Sequence, residues 1–406
     1  MPIAGGAEQW TDAFLDQARL LGDAPADAAV RRVVESGSLG RVNRLLRTLV
    51  ENDQPPPGDL PAPVAEYLAT TAVLPSWADA NTILAGQQVF VRHGPLCLAA
   101  LACGSLPLCY AQRSEARVLG TTQKLVQHEQ RRILETAQFV IDVMQPGGLS
   151  PRGRGVRTVQ KVRLMHAAIR NLLRTPPPVD APAVATSLEQ VLLATPWEVA
   201  DGAPISQEDL AFTLQTFGVS ILGSLDRFGV ELTVGEREAY LHAWSVAGSL
   251  LGVSEDLLPS NETEARTLFA KIQRRRQGAS EEGRALTRAV ERFIEGALRD
   301  RGVGGSIIAP RLTRMTIREL IPEHTAYLLD VQPLQWWESL TSYWIFRAID
   351  RFVDHADALT DEAKLHRFIR GALGELVVRR LSRMPRGWQR EVFQIPDSLE
   401  HAWGMR

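Results

Sequence analysis

The chain has 406 residues, 45% of them hydrophobic, enough for an extensive core in one large domain or two ordinary ones. Its 45 Lys and Arg nearly offset 47 Asp and Glu to a formal charge of -2, mixed along the chain, so no field points at nucleic acid or at an anionic membrane. Three cysteines in so long a chain exclude a disulfide framework and agree with a reducing compartment.

In chain order, "MPIAGGAEQWTDAFLDQARLL" carries Glu8, Asp12 and Asp16 where a signal peptide would be apolar, and the expected location is the cytoplasm. Helical periodicity covers 8–21 and 27–51, then stops at "ENDQPPPGDLPAP". It resumes over 76–91 and leads into the uncharged stretch 95–112, the nearest thing to a membrane span. Gly104 and Pro107 interrupt that stretch and it falls short of about 20 solidly apolar residues, so a buried core helix is expected. Cys97, Cys103 and Cys109 stand six apart within it, with only His93 nearby; that fits neither a zinc spacing nor covalent haem attachment, and they read as small buried hydrophobes.

The next period, 118–144, sets a polar ribbon (His128, Arg132, Glu135, Thr136, Phe139) beside apolar Leu125, Ile133, Leu134, Val140, Ile141 and Met144. Such a ribbon is either the wet face of a helix or the lining of a small polar cavity. After "QPGGLSPRGRG" comes "QKVRLMHAAIRNLL" within 158–173, where Val162, His166, Ile169 and Leu173 form one stripe directed inward. Arg163 and Arg170 flank its histidine. Two readings stay open: a satisfied core histidine whose arginines are solvated or pair with acids on a neighbouring helix, or an imidazole that holds iron with guanidiniums at the cofactor's edge. Beyond "RTPPPVDAPAV", helices are expected over 207–228, 234–251, 262–277, 281–300 and 313–321, with a further group after Pro333. Ser206 before Asp209 and Thr233 before Glu236 mark two of the starts as capping boxes. Convincing strands are missing, and the class is all-α.

Other chemistries lose their signatures. No Glu-x-x-His pair or H-E-x-x-H occurs, His324, His355 and His366 are scattered among charged neighbours, and no G-x-S-x-G, P-loop or dinucleotide fingerprint sits between a strand and a helix.

Four ordered blocks, Arg132-x-x-Glu135-Thr136, "VRLMHAAIR", "ISQEDLAFTLQTFG" and "EREAYLHAWSVAGSLLGVSEDLLP", resemble the catalytic domain shared by latex clearing protein, a bacterial rubber oxygenase, and the ER-bound oxygenase of mycophenolic acid biosynthesis. The likeness spans roughly 76–320. It implies an all-helical fold with a globin-like core around non-covalent b-type haem, in a catalytic domain over 76–330 flanked by helical extensions over 1–75 and 331–406. It implies His166 as the proximal iron ligand, Arg132, Glu135 and Thr136 on the distal side, and Arg170, with Arg163 beside it, as cofactor contacts. Characterised rubber-cleaving members carry Lys where this chain has Glu135, which weakens rubber itself as the substrate. Glu115 lies near the place of the family's general base. The expected activity is oxidation or cleavage of a C=C bond in an isoprenoid or other lipid-like molecule by dioxygen, with no nucleic-acid partner, no membrane contact expected and the redox partner unknown. A haem protein that senses or carries a ligand without turnover, and a cofactor-free helical lipid-binding or interaction protein, are the alternatives.

Overall fold

A computed structural model describes residues 9–35, 61–123, 129–175, 197, 201–300 and 308–333. Its elements are α1 (Asp12–Leu20), α2 (Ala24–Glu35), α3 (Ala62–Thr70), α4 (Ala80–Ala100), a π-helical turn (Leu101–Ser105), α5 (Leu106–Tyr110), α6 (Arg113–Gln123), α7 (Glu129–Met144), α8 (Arg154–Arg174), α9 (Gln207–Phe217), α10 (Val219–Arg227), α11 (Val234–Leu250), a 3-10 turn (Glu255–Leu257), α12 (Glu262–Arg276), α13 (Glu281–Asp300), α14 (Ile308–Leu320) and α15 (Glu323–Leu328). Among the described residues there is no strand, only a single bridge between Gln112 and Gln277. The all-α expectation holds; His128 and the helical group after Pro333 lie outside the described residues.

The uncharged stretch forms the middle of the molecule. Residues Ala80–Tyr110 run on as one rod, long and apolar enough by length and composition to cross a membrane, but most of it is packed inside the protein. α11 lies along it, with α7 and α10 also against it. The π turn carries Cys103 and Gly104 and resets the register, so that Pro107 falls in the first turn of α5, where a missing N–H breaks no bond. All three cysteines are buried free thiols, as expected; burial pushes Cys97 and Cys103 up to about 12, out of reach of ordinary thiol chemistry.

One boundary differs from the expectation. The period 207–228 breaks at Gly218, whose backbone (φ -85°, ψ -98°) leaves the helical region. The break strips the carbonyls of Thr216 and Phe217 of their helical partners. Ser105 Oγ donates to the first (2.6 Å) and Tyr240 Oη to the second (3.2 Å), so the core rod and α11 together satisfy the break. Both capping boxes form, at Ser206 with Asp209 and at Thr233 with Glu236.

The closeness of α4 and α11 depends on Gly86, where an added Cβ would meet the carbonyl oxygen of Ala239 at 2.2 Å. Gly86→Val should lower the free energy of unfolding in urea by about 3 kcal/mol, because a backbone cannot step aside as a side chain can. Gly223 on α10 faces open space, and Gly223→Ala should instead raise it by about 0.5–1 kcal/mol.

Candidate functional site

α8 carries the histidine, and its rotation decides what that histidine faces. The expected inward stripe was Val162, His166, Ile169 and Leu173. The structure buries Leu173 as expected, but its most deeply buried positions, Val156, Val159, Gln160, Arg163, Leu164, Ala167 and Arg170, lie about one residue further round, and Val162, His166 and Ile169 are half-buried. Two guanidiniums occupy this inner face because α2 brings two carboxylates to meet them. Arg163 Nη2 donates to Asp23 Oδ1 (2.8 Å) while its Nε engages Oδ2 and its Nη1 the carbonyl of Leu250 (3.2 Å). Arg170 Nε donates to both oxygens of Asp27 (2.9 and 3.0 Å), and its Nη1 to the carbonyls of Pro204 (3.2 Å) and Ile205 (2.7 Å). Ile205 has a positive φ of 53°, an outlier for a β-branched residue, and Arg170 helps to pin it there. Glycines make room for both pairs: a Cβ on Gly252 (φ +83°) would meet Arg163 Nε at 2.6 Å, and one on Gly22 would meet Arg170 Nε at 2.6 Å.

Of the two readings open for these arginines, pairing with acids on a neighbouring helix is therefore the one the structure displays. Arg163 has all three nitrogens committed, which removes it from the set of cofactor contacts. Arg170 keeps one donor, since its buried Nη2 has no hydrogen-bond partner.

His166 lies three residues from Arg163 and four from Arg170, at the edge of the same helical face. Burial, followed by the positive charges of Arg170 and Arg132, pushes its pKa down to about 3. The imidazole is thus neutral with a free lone pair at physiological pH. Its Nδ1 is shut off from solvent without a hydrogen-bond partner.

Arg132 and Thr136 on α7 approach the same region. Arg132 Nη1 donates to the carbonyl of Leu119 (3.1 Å), and burial lowers its pKa while Tyr110 and Glu135 act to raise it. Thr136 gives its hydroxyl hydrogen to the carbonyl of Arg132 (2.9 Å). Glu135, expected beside them, is exposed, so the burial that a proton relay there required is not found.

Glu115, the tentative base, has the environment that Glu135 lacks. Burial and the neighbouring charge of Asp209 push its pKa well up, against the lowering effect of hydrogen bonds from Thr213 (2.9 Å to Oε1) and Cys109. Asp209 is itself held by Ser114 (2.8 Å) and Ser206 (2.9 Å). The sequence shows Asp209 only as half of a capping box; its place beside Glu115, 94 residues away in the chain by subtraction of their numbers, is fixed by the packing of α6 against α9.

Among the described residues no group of three or more His, Cys, Asp or Glu is placed to hold a bare metal ion. A metal bound through one protein imidazole needs its remaining positions filled by another scaffold, which is the situation of iron in a porphyrin. The neutral, unpartnered His166 fits that role; the cofactor's periphery finds one uncommitted donor on Arg170 and none on Arg163.

The ion pairs should weigh heavily in stability. Asp27→Ala strands Arg170, whose side chain is 1% exposed, and should cost about 3–5 kcal/mol in urea unfolding. Adding Arg170→Met should recover a large part of that loss. Breaking the Arg32–Glu66 pair, more than half exposed at both ends, should change stability by less than about 1 kcal/mol.

Comparison with known proteins agrees with this arrangement. The profile of the family described as "ER-bound oxygenase mpaB/B'/Rubber oxygenase, catalytic domain" matches residues 91–355. The rubber oxygenase of Streptomyces sp. (strain K30) is 29% identical over 268 residues, a stretch spanning 65% of this chain and 61% of that protein. The structure of latex clearing protein LCP in the closed state superposes with a TM-score of 0.68 at 23% identity, covering 94% of this chain and 95% of that one, a likeness of fold. The chain therefore belongs to the family of the mpaB-type and rubber-oxygenase catalytic domain.

Proposed function

We propose that this protein is a haem b-dependent oxygenase that uses dioxygen to oxidise or cleave a C=C bond in an isoprenoid or other lipid-like substrate. The observation that carries the reading is the imidazole of His166, held neutral with an unpartnered nitrogen beside the charges of Arg170 and Arg132. Family membership and the name of the Streptomyces relative supply the substrate class.

Haem, when bound, supplies the redox chemistry that lets dioxygen react with a carbon–carbon double bond. The chain's residues do the rest. His166 holds the cofactor through its lone pair. Arg132 keeps a positive charge near His166, where negative charge developing on oxygen is stabilised at little reorganisation cost. Thr136 adds a hydroxyl whose hydrogen, now given to the Arg132 carbonyl, would be free to turn towards a polar reactant. Glu115 stores a proton, because burial keeps its carboxyl in the acid form above the usual carboxylate range. For cleavage to two carbonyls the atoms balance without an outside electron donor: the single C=C double bond and the O–O bond break, one C=O forms on each carbon, and both oxygen atoms enter the products.

Protein purified from iron-replete cells should show a Soret band, and His166→Ala should lose it. Incubation with air and a panel of unsaturated isoprenoids should yield aldehydes or ketones; a haem-loaded protein that yields none across the panel is a sensor or carrier, and a colourless one has no haem role. Arg132→Ala should retain haem and slow turnover by about 100-fold.

The pH dependence has a definite sign. Protons compete for the His166 lone pair only as pH falls towards about 3, so haem retention should stay flat from about pH 7 to about pH 5, where an ordinary histidine would already be protonated. Loss of the Soret band with a midpoint near pH 6.5 would contradict the assignment.

A further inference from the structure

Two side chains one turn apart on α9, Asp209 and Thr213, reach consecutive residues in the first turn of α6. Asp209 Oδ1 accepts the hydroxyl of Ser114 (2.8 Å), and Thr213 Oγ1 donates to Glu115 Oε1 (2.9 Å). This double clip brings two carboxyl groups together, and the charge of Asp209 acts on Glu115. Neighbouring carboxyl groups resist ionising together, so one proton belongs to the pair.

The donors around each group decide which of them keeps it, because a hydrogen bond to a carboxylate favours the charged form. Asp209 accepts three: from Ser114 Oγ, and from the backbone N–H (3.0 Å) and Oγ (2.9 Å) of Ser206 across the capping box. Glu115 receives the Thr213 hydroxyl at Oε1 and the thiol of Cys109 on α5, a weak donor. That thiol is also shared. Thr216 Oγ1, 3.4 Å from Cys109 Sγ, already gives its hydrogen to the carbonyl of Thr213 (2.7 Å), so towards the sulfur it can only accept. The cation acting on Glu115 is Arg276, at the end of α12, and its Nε lies 3.7 Å from Oε2 of Glu208, which draws on its charge.

We propose that Asp209 is a positioning residue for Glu115: it anchors the first turn of α6 through Ser114, keeps its negative charge in the cap of α9, and leaves the proton of the pair on Glu115. Because Thr213 donates to Oε1, that proton sits on Oε2. The Ser206-x-x-Asp209 box thereby starts one helix and sets the charge state of a carboxyl on another. The use of the proton rests on the proposed function; its place does not.

Infrared spectra of the full chain in heavy water at neutral pH should show the carbonyl stretch of a protonated Glu115. The band is assigned by its loss in Glu115→Gln or, if that variant does not fold, by its move to higher frequency in Thr213→Val, which removes the hydrogen bond at Oε1. Asp209→Asn, or Asp209→Gln if the first does not fold, keeps an acceptor for the cap and removes the charge. The pH midpoint at which the band is lost should then fall, because no like charge opposes ionisation. Ser206→Ala weakens the cap but leaves the charge, and its midpoint should stay nearer that of the native chain. No Glu115 band at neutral pH, a midpoint unmoved or raised on removal of the Asp209 charge, or an equal fall in Ser206→Ala would overturn the proposal. The spectra need neither haem nor substrate, so a colourless or inactive preparation counts against the proposed function while the titration still decides where the proton sits.

Discussion

The rotation of α8 about its own axis is the constraint on which the candidate site rests, and two buried ion pairs set it. Asp23 and Asp27, one turn apart on or just before α2, take Arg163 and Arg170, two turns apart on α8. A buried guanidinium is tolerable only when its charge is matched and its remaining donors are used. Here the carbonyls of Leu250, Pro204 and Ile205 do much of that. With the arginines fixed against α2, the direction of His166, three residues from Arg163 and four from Arg170 on the same helix, is fixed as well. A helix that slipped by one residue would leave two cations unpaired in the interior.

The same burial works in opposite directions on the two groups that matter for chemistry. It lowers the pKa of His166, leaving the imidazole neutral with its lone pair free, and raises that of Glu115 above the usual carboxylate range. Asp23 and Asp27 fall outside the matched span 91–355. The N-terminal helices are nonetheless part of the machinery in a mechanical sense, since they hold the histidine-bearing helix in its orientation.

Much of this was legible in the sequence, and the failures have identifiable causes. Helix content, the two capping boxes and the burial of the cysteines follow from local periodicity and from residue type. His166 stood out because an imidazole interrupted an apolar stripe. The stripe itself was misjudged by one residue, because hydrophobicity alone assigns an arginine to solvent and cannot register that an aspartate about 140 positions earlier will neutralise it. Glu135 looked like the distal carboxylate by spacing from Arg132, yet it is exposed, whereas Glu115 is enclosed by Thr213 and Cys109, which come from other parts of the chain. The break at Gly218 was missed because the hydrophobic period continues across it; only the donors waiting at Ser105 and Tyr240 make the break affordable.

The most direct test of the central claim reads the bond between protein and iron. Electron–nuclear double resonance on the ferric protein, grown with ¹⁵N-labelled histidine, should show one strongly coupled imidazole nitrogen, since one of the eight histidines in the chain is placed as the ligand. Iron coupled to no histidine nitrogen, or equally to two, would contradict the account.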